Sequence, residues 1–211
     1  MQKSISVLKK DKRFSKLIKE HGIPDLQWGR TGLKDPFRAL VRSIIYQQVT
    51  GRAAESILNK FISLFKGKSF PTPIDVNKIS IKKLRSAGLS TQKTTYIKDL
   101  AKKFTDGTIK HKSLHKMNND EVIEHLTQVK GIGVWTTHMF LIFTLNRPDI
   151  LPTGDLGIQK GFKILYKLRD LPDHKKMERL AKDWRSHASY ASWYLWRLAD
   201  SQKSKTKKNK K

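Results

Sequence analysis

Residues 118–146 read NNDEVIEHLTQVKGIGVWTTHMFLIFTLN. Asn118 followed three positions later by Glu121 has the form of a capping box, and Val122, Ile123, Leu126 and Val129 share one apolar face. The KGIG of residues 130–133 then interrupts the pattern before a second apolar helix begins at about residue 134. The reading is helix, tight hairpin, helix. Gly131 and Gly133 can take backbone angles that side chains forbid. Around Ile132 their amides would converge on the start of the next helix, whose first turn holds Thr136, and make a nest for an anion such as a DNA phosphate. Lys130 should face the same anion.

Two other readings of the glycines compete with this one. A dinucleotide site would use Gly131, Gly133 and an acid about twenty residues on, where Asp155 stands. It needs a third glycine where the chain has Thr136, and a strand before the glycines where the chain has an amphipathic helix. A plain turn between packed helices is the commoner meaning of a lone Gly-x-Gly, and only the residues that follow decide against it.

Outward from this segment the pattern stays helical. Phe37, Leu40, Val41, Ile44, Ile45 and Gln48 recur at helical spacing behind Asp35-Pro36, an N-cap with proline at the first helical position. Further helices are expected at about 5–20, 36–48, 51–66, 75–87, 91–106, 118–128, 134–146, 156–169 and 175–199, the last broken once. Gly and Pro punctuate them, as in GKSFPTP (67–73), AGLS (87–90) and NRPDILPTGD (146–155). No stretch sustains period-2 alternation, so the fold class is all-α.

The 211 residues carry 44 Lys and Arg against 18 Asp and Glu, a formal charge of +26. The six lysines of residues 201–211 account for only part of it, and residues 1–200 still hold +20. Such an excess points to a polyanionic partner. The absence of cysteine removes disulfides, thiolate zinc sites, iron-sulfur clusters and thiol nucleophiles. His111 and His115 lie four apart without a third ligand in view, so no protein metal site is expected. MQKSISVLKK has no signal-peptide pattern, and the longest apolar run, Met139 to Phe143, is far short of a membrane span. An intracellular protein with no membrane association is expected, its Lys-rich tail at 201–211 disordered.

LTQVKGIGVWTTHMFLIFTL, then DILPTGDLGIQKGF, then WRSHASYASWYLWRLAD resemble the helix-hairpin-helix (HhH-GPD) DNA glycosylases, in particular the alkylpurine or 3-methyladenine branch. The resemblance runs from about Asp35 to Ala199 and includes SIIYQQVTGRAAESI and LRSAGLSTQKTTYIKDLA. It implies a two-lobed helical fold with a DNA-binding cleft between the lobes. The lobes are expected at 35–110 and 111–200, with residues 1–34 as an N-terminal helical segment. It also implies a monomeric enzyme on double-stranded DNA that hydrolyses the N-glycosidic bond of a flipped alkylated purine.

By the same resemblance Asp155 is the catalytic aspartate, twenty residues after Trp135. Its ordinary role is an N-cap, and the two roles are compatible. Trp135 stands where bifunctional relatives carry a Schiff-base lysine, so no strand cleavage is expected. Trp135 and Trp196 match the walls of the base pocket, while Trp193 and Tyr194 are equally pocket or core. Gln48 matches the side chain that plugs the duplex after flipping, with Val49 and Thr50 against the minor groove and Gln47 on the backbone or opposite strand. A polar helix end capped at Thr50 is the other reading of that loop. Arg52 and Lys93 are further phosphate contacts in this view.

No cofactor is implied, except a Na+ or K+ ion bridging the hairpin carbonyls and a phosphate. The chain departs from the family's pattern at His138 and Gly154, where acids are common, and at Ser186 and Ala188, in place of a Pro and an Arg. Those departures keep open a second reading, a non-catalytic or weakly active protein that binds damaged DNA.

Overall fold

The computed structural model describes residues 1–24, 26 and 35–208. Part of the expected N-terminal segment 1–34 and the last three residues of the tail therefore lie outside the described residues. Among those described there are α-helices and short 3-10 turns and no strand. In chain order the helices are α1 (Gln2–Lys9), α2 (Lys12–His21), α3 (Pro36–Tyr46), α4 (Gly51–Ser63), α5 (Pro73–Lys78), α6 (Ile81–Ser86), α7 (Thr91–Thr105), α8 (Asn119–Thr127), α9 (Val134–Phe143), α10 (Leu156–Leu165), α11 (His174–Ala181) and α12 (Ala188–Lys208).

Side-chain caps decide most of the boundaries. Asp35, Thr50, Ser90, Asn118, Asp155 and Asp173 each accept a bond from a backbone amide in the first turn of the helix that follows. Such a cap is worth about 1 kcal/mol. Caps also split two helices expected as one. Asp11 accepts from the amide of Arg13 at 2.8 Å and starts α2 afresh. Ser80 accepts from the amide of Lys83 at 3.3 Å and separates α6 from α5. The break expected within 175–199 falls at residues 185–187, beyond a 3-10 turn at Lys182–Trp184. The tail expected to be disordered instead continues α12 as far as Lys208, because no Gly or Pro between 188 and 208 stops the helix.

The chain forms two compact units, Met1–Trp28 with Leu141–Lys211, and Gly29–Phe140. The boundary expected at 110/111 is thus corrected to 140/141, and the hairpin belongs with the preceding helices. The physical reason lies in its anchors: Asp99 and Lys103 of α7 bond to the backbone of Lys130 and Gln128. The N-terminal helices are not a separate segment either, since Ile5, Leu8, Phe14, Leu17 and Ile18 sit in one core with Phe162, Trp184, Tyr194 and Leu195.

In that first unit α10 lies close against α12. A Cβ built on Gly161 would fall 2.6 Å from the carbonyl oxygen of Leu195, so only glycine admits the contact. Gly157, one turn earlier on the same face, is equally hemmed in. In the second unit α7 is central: Ile97, Leu100, Ala101 and Phe104 are buried, and the rings of Phe37, Phe61, Phe70 and Phe104 form a chain of contacts beside it.

Gly161→Ala should force α10 and α12 apart and destabilise the protein by about 1–3 kcal/mol, as overpacking does. Thermal unfolding measures it, and a melting temperature equal to that of the wild type would refute the close contact.

Candidate functional site

Asp155 ends the loop LPTGD and caps α10, with its Oδ1 accepting from the amide of Ile158 at 2.9 Å. The same Oδ1 accepts from the indole Nε1 of Trp196 on α12, also at 2.9 Å. The carboxylate is therefore fixed in orientation by two donors from different helices. Gly157 makes this possible, because a Cβ there would sit 2.9 Å from both Asp155 Oδ1 and Trp196 Cδ1.

The loop before Asp155 is held along its length by residues that sequence reasoning missed. The buried Ser189 hydroxyl donates to the carbonyl of Arg147 at 2.6 Å and accepts from the amide of Ile150 at 3.0 Å. Ser192, also buried, donates to the carbonyl of Ile150 at 3.3 Å. Gln159 Nε2 donates to the carbonyl of Thr153 at 3.1 Å, and the Thr153 hydroxyl pairs with His174 Nδ1 at 2.8 Å. The available signal was two serines three apart on an otherwise apolar helical face.

At the departures, Ser186 sits in the left-handed region with φ 69°. The amide of Ala188 donates to Asp149 Oδ1 at 3.3 Å. Arg185 reaches Asp149 Oδ2 at 3.3 Å, so an arginine still ties this segment to the loop from three residues earlier. Gly154 is exposed, and a Cβ there would meet nothing within 4 Å.

The four aromatic residues separate. Trp135 is 51% exposed on the first turn of α9. Trp196 is half-buried, stacked on Phe143 with ring centroids 6.0 Å apart and its N–H committed to Asp155. Trp193 packs edge-on to Tyr194 and to His21, with the Arg197 guanidinium over its ring. Tyr194 is corrected to core: it is fully buried beside Phe14, donates its hydroxyl to the carbonyl of Gly22, and burial pushes its pKa up to about 12.

In the second unit the hairpin and the 47–50 loop come together. Gly131 has φ 78°, and a Cβ there would fall 2.0 Å from the Tyr96 ring. Gly133, expected to share that freedom, shows no positive φ. The amide of Lys130 donates to Asp99 Oδ2 at 2.8 Å and that of Ile132 to the carbonyl of Val129 at 3.0 Å. The hairpin amides left for an anion are those of Gly131 and Gly133. Burial alone would raise the Asp99 pKa, but the Lys103 ammonium and the Lys130 amide outweigh it and hold the carboxyl below its usual range. The Lys130 side chain is exposed.

Ile132 and Thr136 are corrected as surface contacts, being only 3% and 5% exposed. The apolar Ile132 fills the core under the turn, and Thr136 lies one residue round the helix from the exposed Trp135. Gln47 Nε2 donates to the carbonyl of Gly131 at 2.9 Å, so its amide nitrogen joins loop to hairpin. Gln48, Val49 and Thr50 are exposed. Gln48 has φ 54°, a conformation that costs a non-glycine residue about 1 kcal/mol or more. Thr50 caps α4, accepting from the amide of Ala53 at 3.4 Å.

Arg52 is exposed. Lys93 is corrected as a phosphate contact: its Nζ donates to the carbonyls of Ile45 and Gln47, each at 2.7 Å, at the end of α3. His111 stacks on Phe104. Among the described residues no three His, Cys, Asp or Glu side chains group as metal ligands, and no helix is long and apolar enough to cross a membrane.

The model of the HhH-GPD superfamily of base excision DNA repair proteins matches residues 41–186. The chain belongs to that superfamily. DNA-3-methyladenine glycosylase 1 of Schizosaccharomyces pombe is 36% identical over 167 residues, which cover 79% of this chain and 73% of that protein. DNA-3-methyladenine glycosylase of Saccharomyces cerevisiae is 34% identical, over 93% of this chain and 67% of the relative. Among solved structures, the S. pombe 3-methyladenine DNA glycosylase in complex with abasic DNA superposes with a TM-score of 0.78 at 33% identity, covering 93% of this chain and 95% of that one. A Bacillus halodurans DNA-3-methyladenine glycosidase follows at 0.75 and 32%, over 92% of this chain and 87% of that one. Within the HhH-GPD superfamily this chain therefore lies close to proteins named for alkylated adenine.

His138, which stands where family members commonly carry an acid, is largely enclosed, and burial pushes its pKa below the ordinary 6.5. The folded state then binds fewer protons than the unfolded one, so this group's contribution is present above pH 6.5 and lost as pH falls through the lowered value. His138→Gln should flatten the fall in melting temperature between about pH 7 and pH 5. Identical pH profiles for variant and wild type would remove His138 from the acid response.

Proposed function

We propose that this protein is a monofunctional DNA-3-methyladenine glycosylase of base excision repair, acting as a monomer in a DNA-containing intracellular compartment. It hydrolyses the N-glycosidic bond of alkylated purines, of the 3-methyladenine and 7-methylguanine class, and leaves an abasic site. The observation that carries the reading is the Asp155 carboxylate, held by the Ile158 amide and the Trp196 indole at the head of α10.

As the base departs, positive charge develops on the deoxyribose, as in other glycosidic transition states. Asp155 is a preoriented negative charge for that cation and also orients or deprotonates the attacking water. Trp196 donates its indole N–H to Asp155, and the resemblance to the family assigns Trp135 as a further aromatic wall for the base. An N3- or N7-alkylated purine is cationic and is attracted to such a face by cation-π and stacking forces. It is also a good leaving group, so modest electrostatic help suffices. Water is the nucleophile, since position 135 carries tryptophan in place of an amine.

Binding to the duplex draws on the +26 charge, with the glycine amides of the hairpin and Lys130 on one phosphate and Gln48 in the gap left by the flipped base. No organic cofactor enters this reaction. A Na+ or K+ ion at the hairpin would be held by turn carbonyls, and would have to share or forgo that of Gly131, which accepts from Gln47.

Release of 3-methyladenine and 7-methylguanine from methylated duplex DNA tests the reading. Asn caps a helix as well as Asp does, so Asp155→Asn should leave the melting temperature nearly unchanged while lowering the excision rate by about 100-fold or more. The product strand should stay intact until base or a lyase is added. No base release by the wild type, with duplex binding intact, would sink the enzyme reading in favour of a damage-binding protein.

Lys130→Glu should weaken binding to damaged and undamaged duplex alike and make the affinity less steep in salt. A loss confined to damaged DNA would contradict the phosphate role.

A further inference from the structure

Three of the four lysines of α7 are turned toward backbone. Lys93 Nζ donates to the carbonyls of Ile45 and Gln47, Lys98 Nζ to those of Asn77 and Ile79, and Lys103 Nζ to that of Gln128. Each ammonium thus meets the C-terminal end of a different helix, where the aligned peptide dipoles present negative charge. α3 has no basic residue in its own last turn, so Lys93 supplies the positive charge at that end.

We propose that Lys93 is a positioning residue for the 47–50 loop, and that α7 is the common mount which sets that loop relative to the phosphate-binding hairpin. The inference rests on the glycosylase reading, in which Gln48 enters the duplex. The carbonyl of Gln47 and the amide of Gln48 belong to one rigid peptide plane. Holding that carbonyl at 2.7 Å from Lys93 Nζ therefore fixes the plane from which Gln48 departs at φ 54°. A second bond, to the carbonyl of Ile45, stops the plane from pivoting about the helix end.

The hairpin is fastened to the same face of α7. Tyr96 packs under Gly131, Asp99 accepts from the amide of Lys130, and Lys103 bonds both Asp99 and the carbonyl of Gln128. Residues 93, 96, 99 and 103 recur at helical spacing, so one stripe carries both fastenings. Gln47 Nε2 closes the circuit on the carbonyl of Gly131. Burial lowers the Lys93 pKa, consistent with an ammonium directed into the protein.

The deciding variant is Lys93→Met, which keeps the apolar stem and removes the charge. If Lys93 positions the loop, affinity for undamaged duplex and its salt slope stay within about twofold of wild type. Single-turnover excision falls about tenfold or more, and the fluorescence of 2-aminopurine placed beside the lesion, which reports flipping, falls with it. In a Gln48→Ala background the same change should add little, because the group that Lys93 positions is already gone.

A drop in affinity for all duplexes with a salt slope smaller by about one would make Lys93 a phosphate contact and overturn the proposal. So would unaltered excision, or full additivity with Gln48→Ala. If Lys93→Met does not fold, Lys93→Arg serves, since it keeps the charge but changes its reach and shape. Positioning then expects slower excision at unchanged duplex affinity, and a phosphate contact expects wild-type behaviour in both. A wild type that released no alkylpurine would defeat the glycosylase reading, while the fluorescence and affinity readouts would still judge the role of Lys93.

Discussion

Short helices carry a large share of unpaired backbone groups, since each end leaves up to four amides or carbonyls without a partner inside the helix. In this chain the helices run mostly from six to fifteen residues, so satisfying their ends shapes the molecule as much as burying their faces does. Asp, Ser, Thr and Asn close the N-termini, and lysines of α7 close C-termini of neighbouring helices. The residues assigned to chemistry and DNA are drawn from the same set. Asp155 is an N-cap, Thr50 is an N-cap, and Gln47 is a C-cap.

This double use explains how the Asp155 carboxylate can be held without a dedicated scaffold. An N-cap must present an oxygen to the first-turn amides, and that demand alone orients Asp155. The close approach of α10 to α12, enforced by Gly157 and Gly161, then brings the Trp196 indole to the same oxygen. Asp155 and its supports thus lie in the unit formed by residues 1–28 and 141–211, the hairpin and loop in the other. The serines at 189 and 192, with Gln159 and His174, keep the intervening backbone in one conformation.

Much of this was readable in the chain. The KGIG hairpin, the Asn118 capping box, the caps at Asp35 and Asp155, and the absence of strands follow from local patterns, because capping and amphipathic spacing act within one or two turns. Less readable was the partner of each polar side chain. Lys93 resembles any other surface lysine, and only its place on α7 beside the end of α3 makes it a cap. Tyr194 and Trp193 are adjacent aromatics in one helix, yet one is wholly enclosed by Phe14 and the N-terminal helices and the other lies partly open. Thr136 stands in the first turn after the hairpin, but helical rotation carries it inward next to the exposed Trp135.

By itself, then, the sequence determined the all-α class, the hairpin, the position of Asp155 at a helix start, and a charge suited to a polyanion, since these rest on periodicity, short-range caps and composition. The tertiary structure alone decided the division at residue 140, the Trp196 bond to Asp155, and the joining of the 47–50 loop to the hairpin through Gln47, Lys93 and α7. The reason is that each rests on contacts between groups far apart in the chain, 41 positions for Asp155 and Trp196 and 84 for Gln47 and Gly131. Only the packing of whole helices sets the distances between them.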